Sequence, residues 1–333
     1  MNKAKFLLRT TLFLLTLLVL ANCKKTDDGE SHSIVYISGN ERNGDNMVAL
    51  YWKNGIAVKL SDGSTNVYSS DIAVDGKDVF VSGINSTSNN QLAQYWKNGK
   101  VTILTGQYGS GIAEAIVVMN NDVYVAGREV GWNTPNVHYW KNNVGITLTQ
   151  ATSSSAIAVS GSDIYVAGSK NGYSITYWKN GIPIDITDGS HVAIAYSIAV
   201  SGTDVYIAGY EFDGTNRIAT YWKNGVPVAL TDGSNDAQAN SIILNSGNIY
   251  VAGFEAQGGK GVAKYWKNNI PVSLSDGSKN ETAVALAISG NDVFVAGYEY
   301  NGKNNVAKYW KNGVVNYLTD GTKNSYTTGI VVK

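Results

Sequence analysis

Ser197-Ile198-Ala199-Val200-Ser201-Gly202-Thr203-Asp204-Val205-Tyr206-Ile207-Ala208-Gly209 reads as two short apolar runs joined by a tight polar turn. After a loop, Ile218 to Trp222 and Val226 to Leu230 repeat that pattern around the turn Lys223-Asn224-Gly225, and Thr231-Asp232-Gly233 ends the unit. Short runs that alternate or are wholly apolar, punctuated by Gly-containing turns, are the signature of strands and hairpins. Four strands therefore make one unit. Its Tyr-Trp pair recurs at Tyr51, Tyr95, Tyr139, Tyr177, Tyr221, Tyr265 and Tyr309, at intervals of 44, 44, 38, 44, 44 and 44 residues.

Four strands in a period near 44 is the arithmetic of a propeller blade. An open solenoid is the competing architecture, and the ends of the repeat argue against it. Ile34 to Gly39 is a second strand with no first strand before it, and Gly329-Ile330-Val331-Val332 is a first strand with no second strand after it. A ring pairs those two orphans, whereas an open array leaves bare edges that invite aggregation. The expected fold is all-β: a seven-bladed β-propeller over residues 34–333, four antiparallel strands per blade, closed by the N- and C-terminal strands.

Composition narrows the chemistry. Among 333 residues, 26 Lys plus Arg balance 26 Asp plus Glu. The basic excess that releases counterions from phosphate is missing, so no nucleic-acid partner is expected. Three histidines (His32, His138, His191) and the single Cys23 cannot make a disulfide framework, and are too few for a His/Cys metal cage. No metal or cofactor is expected.

Lys3, Lys5 and Arg9 precede an apolar run from Leu12 to Leu20. The run is shorter than the roughly 20 residues a spanning helix needs and fits a secretory signal. It ends in Leu20-Ala21-Asn22-Cys23, which resembles a bacterial lipobox. That resemblance implies a lipoprotein signal peptide over 1–22, an acylated Cys23 as the new N-terminus, and a bilayer anchor of several acyl chains. Lys24-Lys25-Thr26-Asp27-Asp28 resembles the surface-export tag of Bacteroidota lipoproteins. The expected location is the bacterial cell envelope, at the outer membrane and exposed on the surface, with residues 23–33 as lipidated Cys and polar tether.

In a propeller the first strand of each blade lines the axis and the fourth lies outermost. The tight first-to-second and third-to-fourth turns then share one face, and the longer loops share the other. Variable loops on a rigid scaffold are where recognition concentrates. The chain enters on the turn face, and a tether over 24–33 reaches at most roughly 33 Å, so the turn face should look toward the membrane. That face carries Lys53, Lys97, Lys141, Lys179, Lys223, Lys267 and Lys311. They could lie on anionic headgroups, or be solvated turn lysines offset by Asp78, Asp122, Asp163, Asp204 and Asp292; the second reading is favoured.

The repeated tryptophans (Trp52, Trp96, Trp140, Trp178, Trp222, Trp266, Trp310) are either stacking platforms, as in a lectin with one site per blade, or wedges between blades. Their fixed position before a tight hairpin favours wedges. Glu41, Glu129, Glu211, Glu255 and Glu299 recur two residues after the strand-ending glycine. Equivalence by repetition gives no acid/base division of the kind a glycosidase needs, and a solvated rim is expected rather than a cation site. No nucleophile elbow, zinc, calcium or phosphate-loop motif is present. His138 reads as an ordinary strand residue.

The repeat breaks in one place. Leu148 to Ile157 and Gly168 to Tyr177 are each 9 residues, where the corresponding spacings Leu230 to Ile242 and Gly209 to Tyr221 are 12. Both deletions fall on the loop face at the fourth blade and should leave a notch in the rim. Beside it, in Arg128-Glu129-Val130-Gly131-Trp132, lies the only tryptophan outside the repeat. An exposed Trp beside an Arg is a recognition anchor, and Tyr173 and His191 approach from flanking loops. Arg128, Glu129, Trp132, Tyr173 and His191 are thus the candidate ligand-binding residues, and no catalytic residue is assigned.

The Ala-Xaa-Tyr-Trp-Lys-Asn-Gly run, as in Ala93 to Gly99, resembles the HAF-type repeats of extracellular bacterial proteins, without their His-Ala-Phe signature. The resemblance spans residues 34–333 and implies a secreted propeller. The expected function is a non-catalytic module on the envelope that binds a protein or glycan on its loop face. The alternatives are a periplasmic assembly scaffold or a multivalent carbohydrate-binding lectin.

Overall fold

The computed structural model describes residues 33–87, 90–105, 109–130 and 135–333. The signal peptide, Cys23 and the tether up to residue 32 lie outside the described residues, as does Trp132. Among the described residues, 28 strands form seven four-stranded antiparallel sheets, without a helix. Blade 1 is completed by the C-terminus. Ser325–Val332 is its inner strand, beside Val35–Asn43, with Val35 opposite Val332 and Ile37 opposite Ile330. Ile34 and Lys333 exchange backbone hydrogen bonds of 2.7 and 3.0 Å across the seam. The core also runs through it: Ile37, Leu50, Trp52 and Ile330 cluster with Phe294, Ala296 and Ala307 of blade 7. The expected closure is present.

Turn chemistry sets one face of the ring. Every third-to-outer hairpin turns on an Asn at positive φ followed by Gly or Asn, such as Asn224 (50°) and Gly225 (84°), the two left-handed positions of a type I′ turn. Asn224 Oδ1 also accepts from the Val205 amide at 2.9 Å, and its Nδ2 donates to Asp204 at 2.8 Å. One side chain thereby ties the two hairpins of its blade together.

The repeated tryptophans are wedges. All seven are at most 3% exposed, and each packs against the preceding blade, as Trp222 does on Tyr165, Ala167 and Ile175. Full burial of so large a ring contributes on the order of 3 kcal/mol.

Inner strands supply the axial wall, and each breaks register once, by a one-residue bulge. The skipped residues are Thr328, Ser70, Glu114, Ser155, Tyr196, Asn240 and Val284, in blades 1 to 7. A bulge leaves its residue unpaired and re-aims the side chain, and these seven line an axial channel of about 180 Å³. The bulge presses its strand onto the glycine opposite. A Cβ on Gly209 would lie 1.8 Å from the Ile194 carbonyl, and one on Gly297 would lie 2.8 Å from the Trp310 ring. The strand-ending glycines are a packing requirement.

Candidate functional site

On the turn face, five of the seven repeated lysines are paired within their own blades. Lys97, Lys141, Lys179, Lys223 and Lys311 pair with Asp78, Asp122, Asp163, Asp204 and Asp292 at 2.7 to 3.0 Å. These are the five aspartates the sequence offered as counterions, and the hydrogen bonds hold their carboxyls below the usual range. In blades 1 and 6 the position holds Ile34 and Asn248, and Lys53 and Lys267 lie over the Tyr36 and Tyr250 rings, each at 5.4 Å.

The rim glutamates are less solvated than expected: each meets a lysine or a histidine, and burial lowers the pKa of His138. Glu41 reaches Lys323 at 3.4 Å, Glu129 His138 at 3.5 Å, Glu211 His191 at 3.8 Å and Glu255 Lys264 at 2.5 Å. In blade 7 the pairing is buried. Lys308, 2% exposed, sits between Glu281 (2.5 Å) and Glu299 (2.7 Å), with its ammonium 4.8 Å over the Trp310 ring. Lys279 and the Tyr317 hydroxyl also donate to Glu299, at 2.5 and 3.1 Å. Burial works to raise the Glu299 carboxyl, but hydrogen bonds from the two lysines outweigh it and hold it low.

The described candidates around the blade-four deletions lie on the second strand of blade 3 and on the loops that flank blade 4. Arg128 and Glu129 lie on the second strand of blade 3 (Asp122–Val130), opposite Val137 and Asn136. Tyr173 is 62% exposed, and its carbonyl accepts from the Ala193 amide at 2.8 Å, which brings its loop beside the segment carrying His191. His191 turns to Glu211 and the Ser190 hydroxyl.

A concavity opens elsewhere on the loop face. A cleft of about 640 Å³ spans blades 5 to 7 and reaches Thr328 of blade 1. Its floor shares Tyr196, Asn240, Val284 and Thr328 with the axial channel, so the bulges aim its central residues. Arg217 starts the third strand of blade 5 (Arg217–Lys223) and makes a two-pronged ion pair with Asp236 through Nε and Nη2. Its Nη1 donates to Gln238 at 2.7 Å, and its plane lies 5.6 Å from the Tyr210 ring and 5.5 Å from Phe254. Gln238 in turn donates to Asn240 at 2.6 Å, and Asn240 to the Ala283 carbonyl at 2.8 Å. One hydrogen-bonded chain thus fixes the cleft floor from blade 5 to blade 7. Tyr298 flanks it, 6.3 Å from Tyr326, whose hydroxyl is pushed up to about 12 by burial beside Tyr68 and Tyr298.

The sequence reading passed over this cleft, though a signal was there. The residue after the strand-ending glycine is aromatic in three consecutive blades: Tyr210, Phe254 and Tyr298. In the other four it is Asn40, Ile84, Arg128 or Ser169. In the channel below, burial raises the Glu114 carboxyl, and raises Asp71 to about 6 despite amide hydrogen bonds from Ile116 and Ile72. Among the described residues no group of three or more His, Cys, Asp or Glu is placed to hold a metal ion.

No family profile matches the sequence, and no curated protein matches it. Solved structures do share the fold. The β-propeller domain of the Trilobed protease from Pyrococcus furiosus aligns with TM-score 0.57 at 11% identity, over 87% of this chain and 93% of that one. TolB from Acinetobacter baumannii aligns with TM-score 0.51 at 11% identity, over 88% and 83%. At such identities the likeness is one of fold. This chain is a seven-bladed β-propeller.

Proposed function

We propose that this protein is a non-catalytic recognition module, lipid-anchored on the bacterial cell envelope, that holds its ligand in the loop-face cleft of blades 5 to 7. The carrying observation is that cleft, about 640 Å³ in volume, within the size range of ligand sites and built on rigid strands. Recognition without chemistry is supported by the engagement of its charged groups. Arg217 is committed to Asp236 and Gln238, and Glu281, on the strand between the lining residues Asn280 and Thr282, to Lys308. The secretory run, the lipobox-like Leu20 to Cys23 and the HAF-like repeat support display on the envelope. A lectin using one tryptophan per blade has no support, because those rings are buried. The same anchor would serve a periplasmic assembly scaffold, and protease treatment of intact cells separates the two: digestion means surface display.

The ring from Ser33 onward closes on itself, so it can be made without the leader. Affinity capture on that soluble ring should be lost with Tyr196→Ala and kept with Trp132→Ala. Loss with Trp132→Ala alone would move the site to the blade-four sector and overturn this assignment.

A further inference from the structure

We infer that the cleft takes a neutral saccharide, an assignment that rests on the cleft being the ligand site. Three features of its lining point to that chemistry. The first is charge. Arg217 and Asp236 are the only charged lining residues, and they neutralise each other, with Arg217 held between two rings. An anionic ligand would have to pull the guanidinium off a carboxylate already matched to it in a two-pronged pair.

The second is the pairing of ring faces with polar ends. Tyr196, Phe254 and Tyr298 come from three successive blades and line one trough. Tyr196 is 36% exposed. Aromatic faces receive the C–H faces of pyranose rings, and phenolic hydroxyls receive their hydroxyl edges.

The third is rigid, planar polarity with donors left over. Gln238 and Asn240 are fixed in the chain that starts at Arg217. Asn280 Oδ1 accepts from the Gly261 amide at 2.7 Å, which turns its NH2 group to donate. The Thr282 hydroxyl stands beside it in the lining. Fixed amides and hydroxyls beside stacking rings suit a ligand made of vicinal hydroxyls, and no deep aliphatic socket is offered to a peptide side chain. The cleft continues from blade 5 to blade 1, which fits an oligosaccharide better than a single sugar.

The test is calorimetric titration of the soluble ring with neutral glucan, mannan and N-acetylglucosamine oligomers, alongside sialylated and uronate-rich ones. A neutral oligomer should bind equally at low and high salt, since no net charge is engaged. Tyr196→Ala, at a half-exposed position, should weaken it about tenfold or more. Phe254→Leu, which keeps the site apolar without the ring, should weaken it too, with the unfolding midpoints of both variants measured in parallel. Preference for acidic oligomers, no binding of any neutral one, or binding indifferent to both variants would overturn the saccharide. Should Tyr196→Ala abolish capture of a protein partner while no sugar binds, the cleft stands as the ligand site and this inference alone falls.

Discussion

The two faces of this ring are made from the same repeat and have diverged in opposite ways. On the turn face, seven Asn-led hairpins place the same atoms in the same positions, and five of seven lysines meet the same aspartate. On the loop face, one register position before the Tyr-Trp pair holds Leu50, Gln94, His138, Thr176, Thr220, Lys264 and Lys308. Its partners differ accordingly: His138 faces Glu129, Lys264 pairs with Glu255, and Lys308 is buried between Glu281 and Glu299. Repetition preserves what closes and stiffens the ring. Departure from it, in blades 5 to 7, builds the cleft.

That contrast can be broken experimentally, beginning where the effect is largest. Lys308→Ala leaves two carboxylates in blade 7 without their shared cation, and should cost about 3 to 5 kcal/mol in denaturant unfolding. A cost near zero would mean that the cluster is wet and the loop-side wall of blade 7 is soft.

Asp71, on the channel wall, gives a pH-dependent readout. Its folded pKa, about 6, lies above the ordinary aspartate value of 3.8. Between those values the unfolded chain has lost the proton and the folded chain keeps it, so stability falls as pH rises through that window. The loss is at most about 3 kcal/mol. Asp71→Asn should flatten that slope in unfolding curves taken from pH 4 to 7, and an unchanged slope would assign it to another group, such as Glu114. The smallest effect belongs to the turn face: Lys223→Ala should leave the unfolding midpoint unmoved, because exposed ion pairs contribute little.

The ring, its closure and the wedge tryptophans were legible because they are periodic. Orphan strands at Ile34 and Ile330 and a Trp at a fixed register are visible without coordinates. Inner-strand bulges were not, because Tyr196 and Asn240 sit in runs whose alternation looks unbroken. Length changes also stand out in a sequence more readily than side-chain changes. The three-residue deletions of blade 4 are therefore plain in the sequence, while the aromatic series Tyr210, Phe254 and Tyr298 gains its meaning only in the folded ring. The cleft depends on residues from several blades meeting around one axis, which no local pattern records. The glutamates looked equivalent for the same reason: their partners come from another strand or the neighbouring blade.

The division of labour between the faces is tested most directly by hydrogen exchange on the soluble ring, with and without cell-envelope extract. Protection should appear in Ala237–Asn245, in the second-to-third loop of blade 6 around Gly259, and in Asn280–Ser289. The Asn-led turns should exchange as before. Protection confined to those turns, or to the shortened loops of blade 4, would contradict the account.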